Sequence, residues 1–247
     1  MQPSETATKL SNRSLKRIGF RRARLAGNSK LGFYVLEETS LSTTPLSEAV
    51  WENLTPESAR RVVAAAIKCF AEFGFHGTST RTLATHSYLS PGGIYVHFES
   101  KLDLLEFIAK SAHEELATNM LQVNVIEDPS ERLTALVRAH VHFHALRATA
   151  AHVANVELHS LPYNRRAQIM TMRAVIDGLL TTAVEDGVKS GDFQVDEIRP
   201  VVFGIISMGL GLTRWYRVDG NLSPDEIADV YARAALAIVK NHSPRPR

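Results

Sequence analysis

From Thr55 onward the chain presents one helix-start signal after another, and no strand or internal repeat stands out among them. The signals are Thr55-Pro56-Glu57, Ser90-Pro91, Ser100-Lys101-Leu102-Asp103, Asp128-Pro129-Ser130-Glu131 and Ser223-Pro224-Asp225-Glu226. Each sets a short polar side chain where a helix's first N–H groups lack partners, followed by proline, which has no N–H to lose, or by an acid. Ala59, Val63, Ala66, Ile67 and Phe70 then recur at three- and four-residue spacing, one face of a first helix that Gly74 ends. Further helices are predicted from Ser79 to about His86, from Ser90, and from Ser100 to about Val125. Beyond them come helices from Asp128 to about Arg147, over about Ala150–Ser160, over Asn164–Lys189, from Asp196 to about Tyr216, and from Ser223 to about Asn241. The fold class is all-α with about nine helices.

Charge divides the chain unevenly. Residues 1–36 carry eight Lys or Arg against the single acid Glu5, a net +7, while the remaining 211 residues carry −5. Residues 1–50 are rich in Ser, Thr and Arg without sustained periodicity. They read as a mostly disordered basic arm with a short extended or helical piece about Leu31–Leu36. Such an arm is either a nucleic-acid contact or a solvated tail. The longest apolar run, Val201–Leu212, is broken by Gly204, Ser207, Gly209 and Gly211 and is too short to span a bilayer. No apolar stretch near the N-terminus resembles a secretory leader. The lone cysteine, Cys69, falls on the apolar face of the first helix and allows no internal disulfide. These features fit a cytoplasmic protein with no membrane partner.

Three short helices, the second and third separated only by Ser87-Tyr88-Leu89, have the mechanics of a helix-turn-helix. The third begins Ser90-Pro91-Gly92-Gly93. Two glycines in a first helical turn cost about 1 kcal/mol each relative to alanine. A helix whose thin N-terminus must approach DNA closely has a reason to carry them, and its free N–H groups face phosphate favourably.

The segment Thr55–Leu104 resembles the DNA-binding domain of the TetR family of bacterial regulators. The matching runs are Phe73-Gly74-Phe75-His76-Gly77-Thr78-Ser79, Arg81-Thr82-Leu83-Ala84, Ser90-Pro91-Gly92-Gly93-Ile94-Tyr95-Val96-His97-Phe98 and Ser100-Lys101-Leu102-Asp103-Leu104-Leu105. The resemblance implies that Thr78, Ser79 and Arg81 meet phosphates and that Ser90, Gly92, Gly93 and Tyr95 line the base-reading edge. His97 and Lys101 would touch phosphate, and Phe70, Leu83, Ile94 and Phe98 would form the small core. Two positions depart from the family: Gly93 often stands as Thr there, and Tyr88 holds a turn position usually given to Gly. The implied organisation is a basic arm over 1–50, a helix-turn-helix domain over 51–100, and a ligand-binding and dimerisation domain over 101–247.

Residues from His140 to Asp229 are similar to a narrower set of regulators of fatty-acid or steroid catabolism that respond to acyl-CoA thioesters. The landmarks are Ala151-His152-Val153-Ala154-Asn155-Val156-Glu157-Leu158, Leu161-Pro162, Arg214-Trp215-Tyr216-Arg217, Asp219-Gly220 and Leu222–Ala228. Leu210 and Gly211 depart from that set, which is more polar and aromatic there. The resemblance implies a homodimer formed through the last two helices, bound to operator DNA and released by a hydrophobic effector of acyl-CoA type. His144, His152, Arg214, Trp215 and Arg217 are the candidate ligand residues; the last three also suit packing at a dimer interface. Gly204, Gly209 and Gly211 allow close helix approach or leave room for ligand.

The other readings are an activator or constitutive regulator with a different ligand, and a metal-dependent α-helical enzyme. His140 and His144 stand one turn apart, a spacing that can chelate, but no carboxylate or cysteine joins them within that helix. No nucleophile, phosphate-loop or paired-carboxylate motif is present. Neither catalytic residues, nor a metal, nor a cofactor are therefore expected.

Overall fold

The helices begin where the short polar side chains stand. In the computed structural model, Ser79 accepts from the backbone N–H of Thr82, Ser90 from Gly93, Ser100 from Asp103 and Asp128 from Glu131. Ser223 and Glu226 satisfy each other's backbone N–H at 3.2 and 2.8 Å, a complete capping box. One expected cap differs. Pro56 itself occupies the cap position of the first helix without a side-chain bond, so Thr55 does not cap it.

The structure describes residues 51, 54–217 and 219–240, together with the backbone of 20–23 and 33–36. Among these residues nine α-helices follow in order: α1 Glu57–Gly77, α2 Thr80–Ser87, α3 Pro91–Tyr95, α4 Lys101–Val123, α5 Pro129–Leu146, α6 Ala148–Val156, α7 Tyr163–Ser190, α8 Ile198–Trp215 and α9 Pro224–Lys240. A single 3-10 turn, Glu157–Ser160, extends α6. Gly74 leaves helical geometry at φ +73°, so the last residues of α1 form a separate corner. Gly191 ends α7 at φ +86°, a conformation open to glycine for want of a Cβ. Separately, β1 Phe20–Ala23 and β2 Phe33–Leu36 pair as an antiparallel ribbon, Phe20 opposite Leu36. Its second strand falls on the extended or helical piece expected about Leu31–Leu36; β1 also falls within the expected arm, whose other residues lie outside the described ones.

α5 is the hub of the helical body. α4, α7, α8 and α9 all pack on it, and Leu133, Leu136, Val137, Val141 and Phe143 are buried there. Burying each such side chain contributes about 1.5–3 kcal/mol. Ion pairs tie the hub's neighbours: Arg132 of α5 to Asp186 of α7 at 2.7 Å, and Arg165 of α7 to Asp103 and to Glu106 of α4, the latter at 3.1 Å. The three glycines of α8 do different work. A Cβ on Gly209 would lie 2.3 Å from His140 Nδ1, so this glycine lets α8 close onto the hub. Gly204 and Gly211 face open space in the chain.

The Gly209 contact sets a test. Gly209→Ala forces a buried ring aside and is expected to destabilise the fold by about 1–3 kcal/mol, as overpacking does. Urea denaturation reads this out, and an unchanged midpoint and slope contradict the close approach.

Candidate functional site

The corner between α1 and α2 is built from the inside. Phe70 and Phe75 pack edge-on with ring centroids 5.4 Å apart, over buried Leu83 and Ile94. Phe98 is partly buried and stacks toward Phe107, at 5.6 Å. Thr78 is 1% exposed, and its hydroxyl donates to the carbonyls of Gly74 at 2.8 Å and Cys69 at 3.0 Å. Lys101 Nζ donates to the carbonyls of Phe75 at 2.6 Å and Thr78 at 2.8 Å, and it lies 4.3 Å from the Phe75 ring centroid. Burial pulls its pKa below the usual lysine range, opposed by the nearby Glu157 carboxylate. Thr78 and Lys101 therefore have internal work here, closing the end of α1 and fastening α4 to it. His97 Nε2 lies 2.8 Å from Ser58 Oγ and ties the end of α3 to α1.

The outward edge carries the remaining residues. Ser79, Arg81, Ser90, Gly92 and Tyr95 are exposed, and Gly93 is partly so. Among the described residues nothing requires glycine at 92 or 93: a Cβ on either meets only ordinary contacts, at 3.4 Å or beyond. Tyr88 occupies the left-handed region at φ +58°, ψ +38°, which explains why glycine suits this turn. A non-glycine residue there costs about 1–2 kcal/mol, and its ring is left 84% exposed.

A second feature lies within the helical body. A cavity of about 380 Å³ is walled by α4, α5, α6, α7 and α8. Its floor holds His113, His140 and His144, all buried. The rings of His140 and His144 are 4.4 Å apart. Asn155, Arg173 and Asp177 line the middle, and Met170 and Phe203, each about half exposed, lie toward the opening. Arg173 donates to Asn155 Oδ1 at 2.6 Å. Burial raises the Asp177 carboxyl against the pull of Arg173 and Arg199.

Of the five candidate ligand residues, His144 alone lines this cavity. His152 lies on α6 outside its wall, Arg214 and Trp215 are exposed at the end of α8, and Arg217 is exposed just beyond. The sequence reading missed Arg173 and Asp177, which carry no motif, and it took Asn155 only as part of a landmark run, with no role of its own. Their signal is an Arg-to-Asp spacing of one helical turn, common on solvated faces. Among the described residues no group of three or more His, Cys, Asp or Glu is arranged to hold a metal ion, and no helix is long and apolar enough to cross a membrane.

An outward helix-turn-helix joined to a hollow helical body defines a DNA-binding regulator. Comparison with known proteins agrees. The family model for bacterial regulatory proteins of the tetR family matches residues 62–108, and that for a tetracyclin repressor-like C-terminal domain matches 127–239. A solved bacterial regulatory protein in the tetR family from Rhodococcus RHA1 is 32% identical, covering 76% of this chain and 100% of that one, with a TM-score of 0.69. The HTH-type transcriptional repressor KstR2 of Rhodococcus jostii is 24% identical over 75% of this chain and 93% of its own length. The fold also matches AibR, solved in complex with isovaleryl coenzyme A and operator DNA, at 22% identity over 74% of this chain and 98% of that one, TM-score 0.64. The chain belongs to the tetR family of bacterial regulatory proteins.

The buried histidines give the fold an acid limit. Burial, chiefly, lowers His113 and His144 from 6.5 to about 4, and pushes His140 well below its usual value. The unfolded chain takes up these protons near pH 6.5 and the folded chain does not until about pH 4, so the unfolded state binds more protons between the two. Stability is expected to fall as pH is lowered through that window. Thermal melts from neutral pH down to the acid limit test this, and a flat profile contradicts it.

Proposed function

We propose that this protein is a dimeric repressor that grips operator DNA through α2 and α3 and is released by a hydrophobic effector, an acyl-CoA thioester or related compound, held in the cavity. In this reading residues 51–100 are the DNA-binding domain and 101–247 the ligand-binding and dimerisation domain. The single observation that carries it is the fastening of α4, a cavity wall, onto the helix-turn-helix through Lys101.

The DNA edge consists of Ser79, Arg81, Ser90, Gly92, Gly93 and Tyr95. Thr78, His97 and Lys101 position it. One short recognition helix reads few base pairs, so a two-fold protein on a two-fold operator is the economical solution, with recognition helices about 34 Å apart. The exposed apolar side chains Phe203 and Trp215 on α8 and Val230 and Ile238 on α9 are the surface for a partner copy. Gly204 and Gly211 leave room for its helices.

The effector class draws support from the cavity and from the relatives. The volume suits an acyl group of moderate size and leaves coenzyme A outside, with Arg173 and Arg199 toward the opening. The similar AibR is solved with an acyl-CoA and operator DNA, and the similar KstR2 is a repressor. An effector acts only by preferring the DNA-incompetent state. Here the ligand would press on Ala112, His113 and Leu116 of α4 and shift the helix that carries Lys101.

Operator affinity measured with DNA from the promoter of its own gene tests both halves. Arg81→Ala is expected to weaken binding several-fold and reduce the salt slope by about one, as loss of a phosphate contact does. A panel of acyl-CoA thioesters is expected to contain members that release the DNA. A panel without effect removes the effector class.

A further inference from the structure

The cavity floor holds a hydrogen-bonding atom with nothing to bond. His144 is 1% exposed. Its Nδ1 lies 2.8 Å from the backbone carbonyl of His140, an atom that can only accept, so Nδ1 carries the proton. Nε2 is then a bare acceptor, and among the described residues it has no partner. Burial keeps the ring neutral, with its pKa down at about 4. Nearer the opening stands the half-buried guanidinium of Arg173, whose hydrogen-bond partner among the described residues is the neutral amide of Asn155. Apolar Leu116, Phe143 and Ile176 complete the wall.

This arrangement discriminates between ligand ends. A plain hydrocarbon tail reaching the floor would seal off an unpaired acceptor, an expensive state for a buried polar atom. A carboxylate would set its lone pairs against that of Nε2. An ammonium group at the floor would meet the positive field of Arg173, which is near enough to depress His144, while Asp177, the acid that lines the cavity, is already engaged electrostatically by Arg173 and Arg199. A neutral O–H group fits: it gives Nε2 the proton it lacks and adds no charge.

We propose that the cavity takes an acyl ligand whose buried end carries a hydroxyl, donated to His144 Nε2, while an oxygen nearer the opening accepts from Arg173. This rests on the cavity being the effector site. It goes further by naming the ligand's oxygenation: a hydroxylated acyl chain or ring system in place of a plain fatty acyl group.

The test is calorimetric titration of the full-length protein with matched ligands of roughly six to ten carbons, the size a cavity of this volume admits. Each is used with and without a terminal hydroxyl, both as the free acid and as the CoA thioester. At the chain length that reaches the floor, the hydroxylated member is expected to bind about tenfold tighter, the worth of one well-made hydrogen bond to a buried acceptor. His144→Phe should abolish that preference while retaining the plain ligand. In case that variant fails to fold, the wild-type protein labelled with ¹⁵N-histidine supplies a second readout: the Nε2 resonance of His144 should move with the hydroxylated ligand and not with its plain partner. Equal affinity at every length, with no change at Nε2, overturns the hydroxyl proposal and leaves the cavity reading intact, water then satisfying His144. If no ligand binds in either form, both fall.

Discussion

One ammonium group holds the helix-turn-helix to the helical body. Lys101, the first residue of α4, donates to the carbonyls of Phe75 and Thr78 and rests against the Phe75 ring. Those carbonyls lie at the end of α1, where helix geometry leaves acceptors without partners. A cation at a helix C-terminus also opposes the negative end of the helix dipole. The joint gathers a third segment. Glu157, on the 3-10 turn after α6, lies close to Gly74 and exerts its charge on Lys101. Ser160 of the same turn donates to Glu157 and lies 3.4 Å from His76 Nε2. The corner that aims the recognition helix is thus held by α4 on one side and by the end of α6 on the other.

Both of those segments also wall the cavity. Ala112, His113 and Leu116 of α4 and Ala151, Ala154 and Asn155 of α6 line it. Asn155 stands two residues before Glu157 and holds Arg173 across the cavity. The guanidinium of Arg173 has further N–H donors beyond the one that Asn155 takes. Around the cavity Gly209 brings α8 onto His140, and the Arg132 and Arg165 ion pairs tie α7 to its neighbours. Close-packed interiors transmit small displacements because they cannot absorb them.

Most of the fold was legible in the sequence because helix ends are local chemistry. Ser79, Ser90, Ser100, Asp128 and Ser223 cap the helices they precede, and Gly74, expected to end the first helix, breaks it at a positive φ. Pro56 shows the limit, since a proline after a threonine can stand as the cap or just within it. The site was legible only where it is contiguous. The glycine pair of α3 drew notice because it costs helix stability without local return. Thr78 and Lys101 could not be placed, because their partners lie 4 to 26 residues away and a threonine or lysine at a helix mouth looks outward by default. The pairing of Arg173 with Asn155 was invisible for the same reason: 18 residues apart on different helices, they meet only through the fold.

The most direct measurement is the salt dependence of operator binding by full-length Lys101→Met, set beside the wild-type protein. Lys101 acts here by positioning, so affinity should fall while the slope of log affinity against log salt stays the same. A slope reduced by about one would mark a lost phosphate contact and contradict the joint, as would an affinity that does not change.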